Sequence, residues 1–250
     1  MGRWISVSEA AERLGVTSHR VRQRIQDGSL PAERVGNRWS IDEADLLPFL
    51  DGVTVGRPLS GRSAWAILDH ADPSPREPAP LTPLAPSERR RAEERWRLLT
   101  AHASNADSIA GVARLLRDML ANRAERHVFR ANARDFADLR ADTRLSLAGL
   151  NDPRAEIAAG DVVEGYVTRP DLEHLIRDYL LTPAVDQSSR QQANVVLHAS
   201  MRAVPRPAPL LMIAADLADH RTPREESRAV EILRDLAESR QTRHDVRPAK

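Results

Sequence analysis

Arginines crowd one short stretch of this chain. Arg20, Arg22, Arg24, Arg34 and Arg38 fall between positions 20 and 38, answered only by Asp27 and Glu33, in 250 residues whose formal net charge is +1. A guanidinium is a planar fork of N–H donors that fits a phosphate, or the O6 and N7 edge of guanine. Ser18, His19 and Gln23 lie among the first three arginines and Asn37 stands beside Arg38, adding shorter hydrogen-bonding groups. Charge placed in this way, rather than spread, makes double-stranded DNA the first partner to consider.

Other chemistry is sparsely provided for. The sequence has no Walker A loop, and no G-x-G-x-x-G follows a strand pattern, so no nucleotide cofactor is indicated. Ser60-Gly61-Arg62-Ser63 does not make the G-x-S-x-G turn of a serine hydrolase. Zero cysteines remove disulfides, thiolate metal sites and cysteine nucleophiles together. His174 and Asp178 stand i and i+4 on one amphipathic helix and read as a surface pair rather than metal ligands. Asp216 and Asp219 follow the apolar run from Leu210 to Ala215, where a nuclease could present Mg²⁺ ligands. With no second acidic cluster beside them, they read instead as first-turn carboxylates that offset a helix dipole. The expectation is a protein without catalytic, cofactor or metal residues.

The elements that would hold the arginines are legible between Ser6 and Leu50. Ser6-Val7-Ser8-Glu9 is a capping box that opens a first helix with Val7, Ala10, Ala11 and Leu14 on one face. Gly15 ends it where a left-handed residue is needed, and Thr17 caps a second helix from Ser18 to about Gln26. Only Val21 and Ile25 of that helix face inward, which leaves its polar side for solvent or for a groove. Leu30 to Val35 and Arg38 to Ile41 flank Gly36-Asn37, the composition of a two-residue type II′ hairpin. Trp39 and Ile41 can point back to the core, and Asp42 caps a third helix carrying Ala44, Leu46, Leu47, Phe49 and Leu50.

These stretches, "SVSEAAERLGV", "TSHRVRQRI", "GSLPAERVGNRW" and "IDEADLLPFL", resemble the MerR/excisionase class of small winged helix-turn-helix domains. The resemblance implies that Ser18, His19, Arg22 and Gln23 lie toward the major groove; Arg20, on the same polar helix surface, is a further DNA-binding candidate. The resemblance places Arg34, Asn37 and Arg38 toward the backbone or minor groove.

Composition puts the chain in the globular class, with 41% hydrophobic and 29% charged residues. No run approaches about 18 apolar residues and no secretory h-region follows the start, so no membrane partner and a cytoplasmic location are expected. The fold class expected is mainly α with small β elements, an N-terminal winged helix-turn-helix plus a C-terminal α+β domain. Five segments are expected. Residues 1–52 form the winged domain, and 53–86 hold a short helix around Trp65 and a proline-rich linker. Residues 87–122 form a helical segment with Ala92, Trp96, Leu99 and Ala103 as a candidate homodimer stripe. An α+β partner-binding domain spans 123–240, and 241–250 are a frayed tail. In the α+β segment, strands are expected at 127–129, 145–147, 161–167 and 194–198, with a helix opening at Pro170. Leu210 to Ala214 reads as a buried strand or the start of a helix, and Thr222 opens the last helix.

"RHVFRANARDFADLRAD", "EGYVTRPDL", "ANVVLHAS" and "APLLMIAADLAD" resemble actinobacterial antitoxins of the AbiEi type. That likeness implies a regulator that represses its own operon and neutralises a toxin encoded by a neighbouring gene, the toxin being nucleotidyltransferase-like. The alternative expectation is a MerR-like regulator whose distal domain senses a ligand or self-associates.

Overall fold

The computed structural model of the chain describes residues 4–26, 30, 32–35, 38–42, 46, 59–72, 83–105, 108–184 and 192–245. The chain divides into two units, Met1–Gly56 and Arg57–Lys250. The first contains β1 (Trp4–Ser6), α1 (Val7–Arg13), α2 (Ser18–Gln26), β2 (Glu33–Val35) and β3 (Arg38–Asp42). β3 is the middle strand of an antiparallel sheet of order β1-β3-β2. Both halves of the expected capping box are present: the Glu9 amide donates to Ser6 Oγ at 3.2 Å, and the Ser6 amide donates to Glu9 Oε2 at 3.1 Å. Gly15 has φ +62, the left-handed conformation that glycine adopts without steric cost. Ile5, Val7, Ala10, Ala11, Val21, Leu30, Ile41 and Leu46 form the core, with Leu14, Ile25 and Trp39 packed on it half-buried. The expected third helix and the Gly36-Asn37 tip lie outside the described residues. Val35 pairs directly with Arg38, so the wing has the two-residue connection that the sequence predicts.

The second unit runs α3 (Gly61–Ala71), α4 (Pro86–Asn105), α5 (Ile109–Leu120), a 3₁₀ turn (Ala121–Arg123), β4 (Glu125–Arg130), α6 (Phe136–Ala141), β5 (Ser146–Leu147), β6 (Val163–Thr168), α7 (Arg169–Asp178), β7 (Thr182–Pro183), β8 (Val195–Ser200), α8 (Leu210–Asp219) and α9 (Pro223–Asp245). Its five strands lie in the order β5-β6-β8-β4-β7, with β6 and β8 parallel and the other pairs antiparallel. Side chains alternate across a strand. Val163, Val167, Val195 and Leu197 therefore share a face, packed with Phe136, Leu139, Leu172 and Leu175 of α6 and α7. The intervening residues, Glu164, Tyr166 and His198, face the other way. Helices α3, α4, α5, α8 and α9 pack on one another in this unit. The architecture is mainly helical with a small mixed sheet, as the sequence predicts.

Several local expectations are corrected. Helix α4 opens at Pro86 rather than after Ser87: the Ala85 amide donates to Glu88 Oε2 at 2.8 Å, and proline takes the first helical position, where no N–H is needed. Within the expected helical segment 87–122 the helix breaks: α4 continues to Asn105, and Ser108 caps α5 by accepting from the Gly111 amide at 3.2 Å. Leu210 to Asp219 is a helix buried on nearly every side, which is why its pattern is continuous rather than amphipathic. Helix α9 extends into the expected tail as far as Asp245. The stripe of Ala92, Trp96, Leu99 and Ala103 is buried within the unit against neighbouring helices, so it is not left free to pair two copies. The linker residues 73–82 lie outside the described residues.

Candidate nucleic-acid interface and the buried polar cluster

Helix α2 is held by one buried and one half-buried side chain, Val21 and Ile25, one helical turn apart. Its start is fixed by Thr17, whose Oγ1 accepts from the Arg20 amide at 3.3 Å. The remaining surface is polar. His19, Arg20, Arg22 and Gln23 are exposed, and Ser18 and Arg24 are half-buried. Arg20 Nη1 donates to Gln23 Oε1 at 3.4 Å, an exposed contact that water or a nucleic acid can replace. The structure therefore brings the four exposed groups predicted from sequence onto one short helix. Arg34 and Arg38 fall on the two wing strands at register positions beside its tip, Arg34 opposite Trp39 and Arg38 opposite Val35. Asn37 lies outside the described residues.

Sequence reasoning missed a second feature. Between the sheet and α8 lies a polar cluster of Arg123, Glu164, Tyr166, His198 and Asp216, all buried, with Asp219 and His220 at its edge. Arg123 Nη2 donates to Asp216 Oδ1 and to Asp219 Oδ2, both at 2.6 Å, and its Nη1 donates to the Leu120 carbonyl at 3.1 Å. The Tyr166 hydroxyl accepts from Arg123 Nε at 2.8 Å and donates to Asp216 Oδ1 at 2.6 Å. Glu164 is bracketed by two imidazoles, with His198 Nε2 at 3.0 Å from Oε1 and His220 Nε2 at 2.9 Å from Oε2. The Leu150 amide adds a bond to Oε2 at 2.9 Å.

This geometry corrects the reading of the two aspartates. Asp216 and Asp219 occupy the last turn of α8, where the helix dipole disfavours negative charge, and the Arg123 guanidinium offsets it. One oxygen of each is therefore committed to the Arg123 guanidinium. Asp178 pairs with Arg144 Nη1 at 2.7 Å rather than with His174. Among the described residues, no group of three or more His, Cys, Asp or Glu is placed to hold a metal ion.

Burial pushes the Asp216 carboxyl up against the pull of Arg123, and pushes the Tyr166 hydroxyl well above its ordinary value. Burial also raises Glu164, but hydrogen bonds and charge from His198 and His220 override it and hold this carboxyl below the usual range. His220 is lowered by burial and raised by more through Glu164. Because the folded value of Glu164 lies below the unfolded one, near about 4.3, its contribution to stability is present above that pH and is lost as pH falls through the folded value. His220 has the opposite sign: its contribution is complete below about 6.5 and is lost as pH rises through its raised folded value. We predict that His220→Gln flattens the stability profile on the alkaline side of about pH 6.5 and makes the acid limb shallower without removing it, because His198 still holds Glu164 low. Urea titrations at a series of pH values check this; an unchanged alkaline slope would contradict it.

Residues 4–52 match the family model of a helix-turn-helix domain. No curated protein and no solved structure matches the chain. The front of the chain is thus a helix-turn-helix domain, which supports an excisionase-type module and a DNA-binding regulator. No helix among the described residues is long and apolar enough to cross a membrane.

Proposed function

We propose that the chain is a transcriptional regulator acting as the antitoxin of a toxin-antitoxin pair. In this reading the winged unit represses the operon, and the distal unit binds and neutralises a toxin encoded next door, a nucleotidyltransferase-like enzyme. The observation that supports DNA binding most directly is the exposed face of α2, where His19, Arg20, Arg22 and Gln23 leave a helix anchored only by Val21 and Ile25. The antitoxin role draws its support from the sequence likeness of the distal segment. We read that unit as a binding module rather than an enzyme, acting in the cytoplasm, and the protein as a homodimer on paired half-sites. One winged domain touches too few base pairs to select a single operator.

Binding to a promoter fragment is expected to weaken steeply with salt, with a log-log slope of about 0.9 for each phosphate neutralised. Arg22→Ala should cost roughly 1–3 kcal/mol and relax base preference, whereas Arg38→Ala should weaken all sequences alike. Equal behaviour of the two variants would end this division of labour. Toxin neutralisation is tested separately by co-expression with the adjacent gene, scoring growth and pull-down. An Arg22/Arg38 double variant should lose repression and still protect; loss of protection together with repression would remove the partner-binding role.

A further inference from the structure

One cavity of the distal unit, about 560 Å³, shares only Arg123 with the polar cluster. That volume suits a small organic ligand. Its apolar wall includes Trp65, which is 8% exposed, and Met201, which is 78% exposed on the lip and has a flexible side chain that can cover a guest. The Trp65 indole N–H donates to the Arg123 carbonyl at 3.0 Å, and the Arg202 guanidinium lies 3.8 Å from the ring centre.

The lining contains four arginines against two carboxylates. Arg123 is neutralised from behind by Asp216 and Asp219, and Arg202 is paired with Asp69 at 3.1 Å. Arg169 is held by Glu125 at 2.9 Å, with both side chains more than half exposed, so this bond exchanges readily with a competing anion. Arg62 has its carboxylate partner, Glu88, just outside the lining, in an exposed pair that a competing anion entering the cavity can displace. The Nε–H of Arg202 is buried without an acceptor among the described residues. Helices α3 and α7 both begin at the lining, with Gly61 and Arg62 in one and Arg169 in the other.

We propose that this cavity binds a small organic anion, a carboxylate or phosphate ester carried on an apolar body, with Arg62 and Arg169 receiving the charge and Trp65 and Met201 the body. The proposal does not depend on the operator or the toxin, because neither enters its test. Isothermal titration of the full chain with benzoate, phenyl phosphate and benzyl alcohol distinguishes the headgroups and includes a neutral control. At least one anion should bind saturably at one site per chain and more tightly than the alcohol. An Arg62→Gln/Arg169→Gln variant, altered only at exposed side chains, should keep the thermal midpoint and bind that anion roughly tenfold more weakly. Preference for phenyl phosphate over benzoate, or the reverse, identifies the headgroup. No saturable binding of either anion, equal binding of benzyl alcohol, or undiminished binding by the double variant would each overturn the proposal.

Discussion

Arg123→Met is expected to destabilise the distal unit by about 3–5 kcal/mol, the cost of leaving buried charge without its partner. Asp216 is completely buried and Asp219 half-buried, and both direct an oxygen at Arg123. Removing the guanidinium strands two carboxylates at the C-terminal end of α8, where the helix dipole already opposes them. For a domain whose whole stability is about 5–15 kcal/mol, that loss is a large fraction. Urea titration followed by circular dichroism measures it. The same argument predicts that Arg123→Met combined with Tyr166→Phe and Asp216→Leu recovers part of the loss, because the triple variant removes the donors together with the fully buried acceptor and leaves unpaired only the half-buried Asp219. A single variant as stable as the wild type would mean that water reaches the cluster and that the ion pairs contribute little.

Gly149→Ala is expected to cost about 3 kcal/mol or more, combining a left-handed backbone with overpacking. Gly149 has φ +53, and a Cβ built there would fall inside the carboxylate of Glu164. That carboxylate cannot easily give way, since His198, His220 and the Leu150 amide all hold it. Displacing Glu164 also unpairs His220, so the variant should lose the alkaline limb of the stability profile along with overall stability. Gly160→Ala is the control: a Cβ there meets nothing within 4 Å, and its effect should stay within about 0.5 kcal/mol. Equal effects at the two glycines, measured by urea titration, would show that close approach to Glu164 is not what position 149 requires.

Much of the front unit is legible because its signals are local. A serine and a glutamate three residues apart satisfy each other's backbone donors whatever lies around them, and Gly15 alone in its stretch accepts a left-handed turn without a Cβ penalty. The two-residue wing follows from residues adjacent in the chain. Four strands of the distal sheet were also recognisable, β6 and β8 from their valine-rich runs, although β1 and β7 were not, since two or three residues carry too little pattern to mark a strand.

What the sequence alone determined, then, is the set of elements, the exposed basic helix and the class of partner it suits, because each depends on contacts within a few residues. What only the tertiary structure decided is who meets whom across the distal unit. Asp216 and Asp219 sit three apart in an apolar run, and nothing nearby in sequence announces Arg123, which reaches them across 93 and 96 positions. Glu164, His198 and His220 look like scattered titratable residues until the parallel pairing of β6 and β8 turns the first two to the same face and α8 delivers the third. The Trp96 stripe reads as a surface for pairing two copies until its neighbours cover it. Burial and long-range pairing are properties of the packed chain, and a charged group's meaning changes when it loses water: in solution these arginines and carboxylates are a solvated surface, and inside the protein they must find one another.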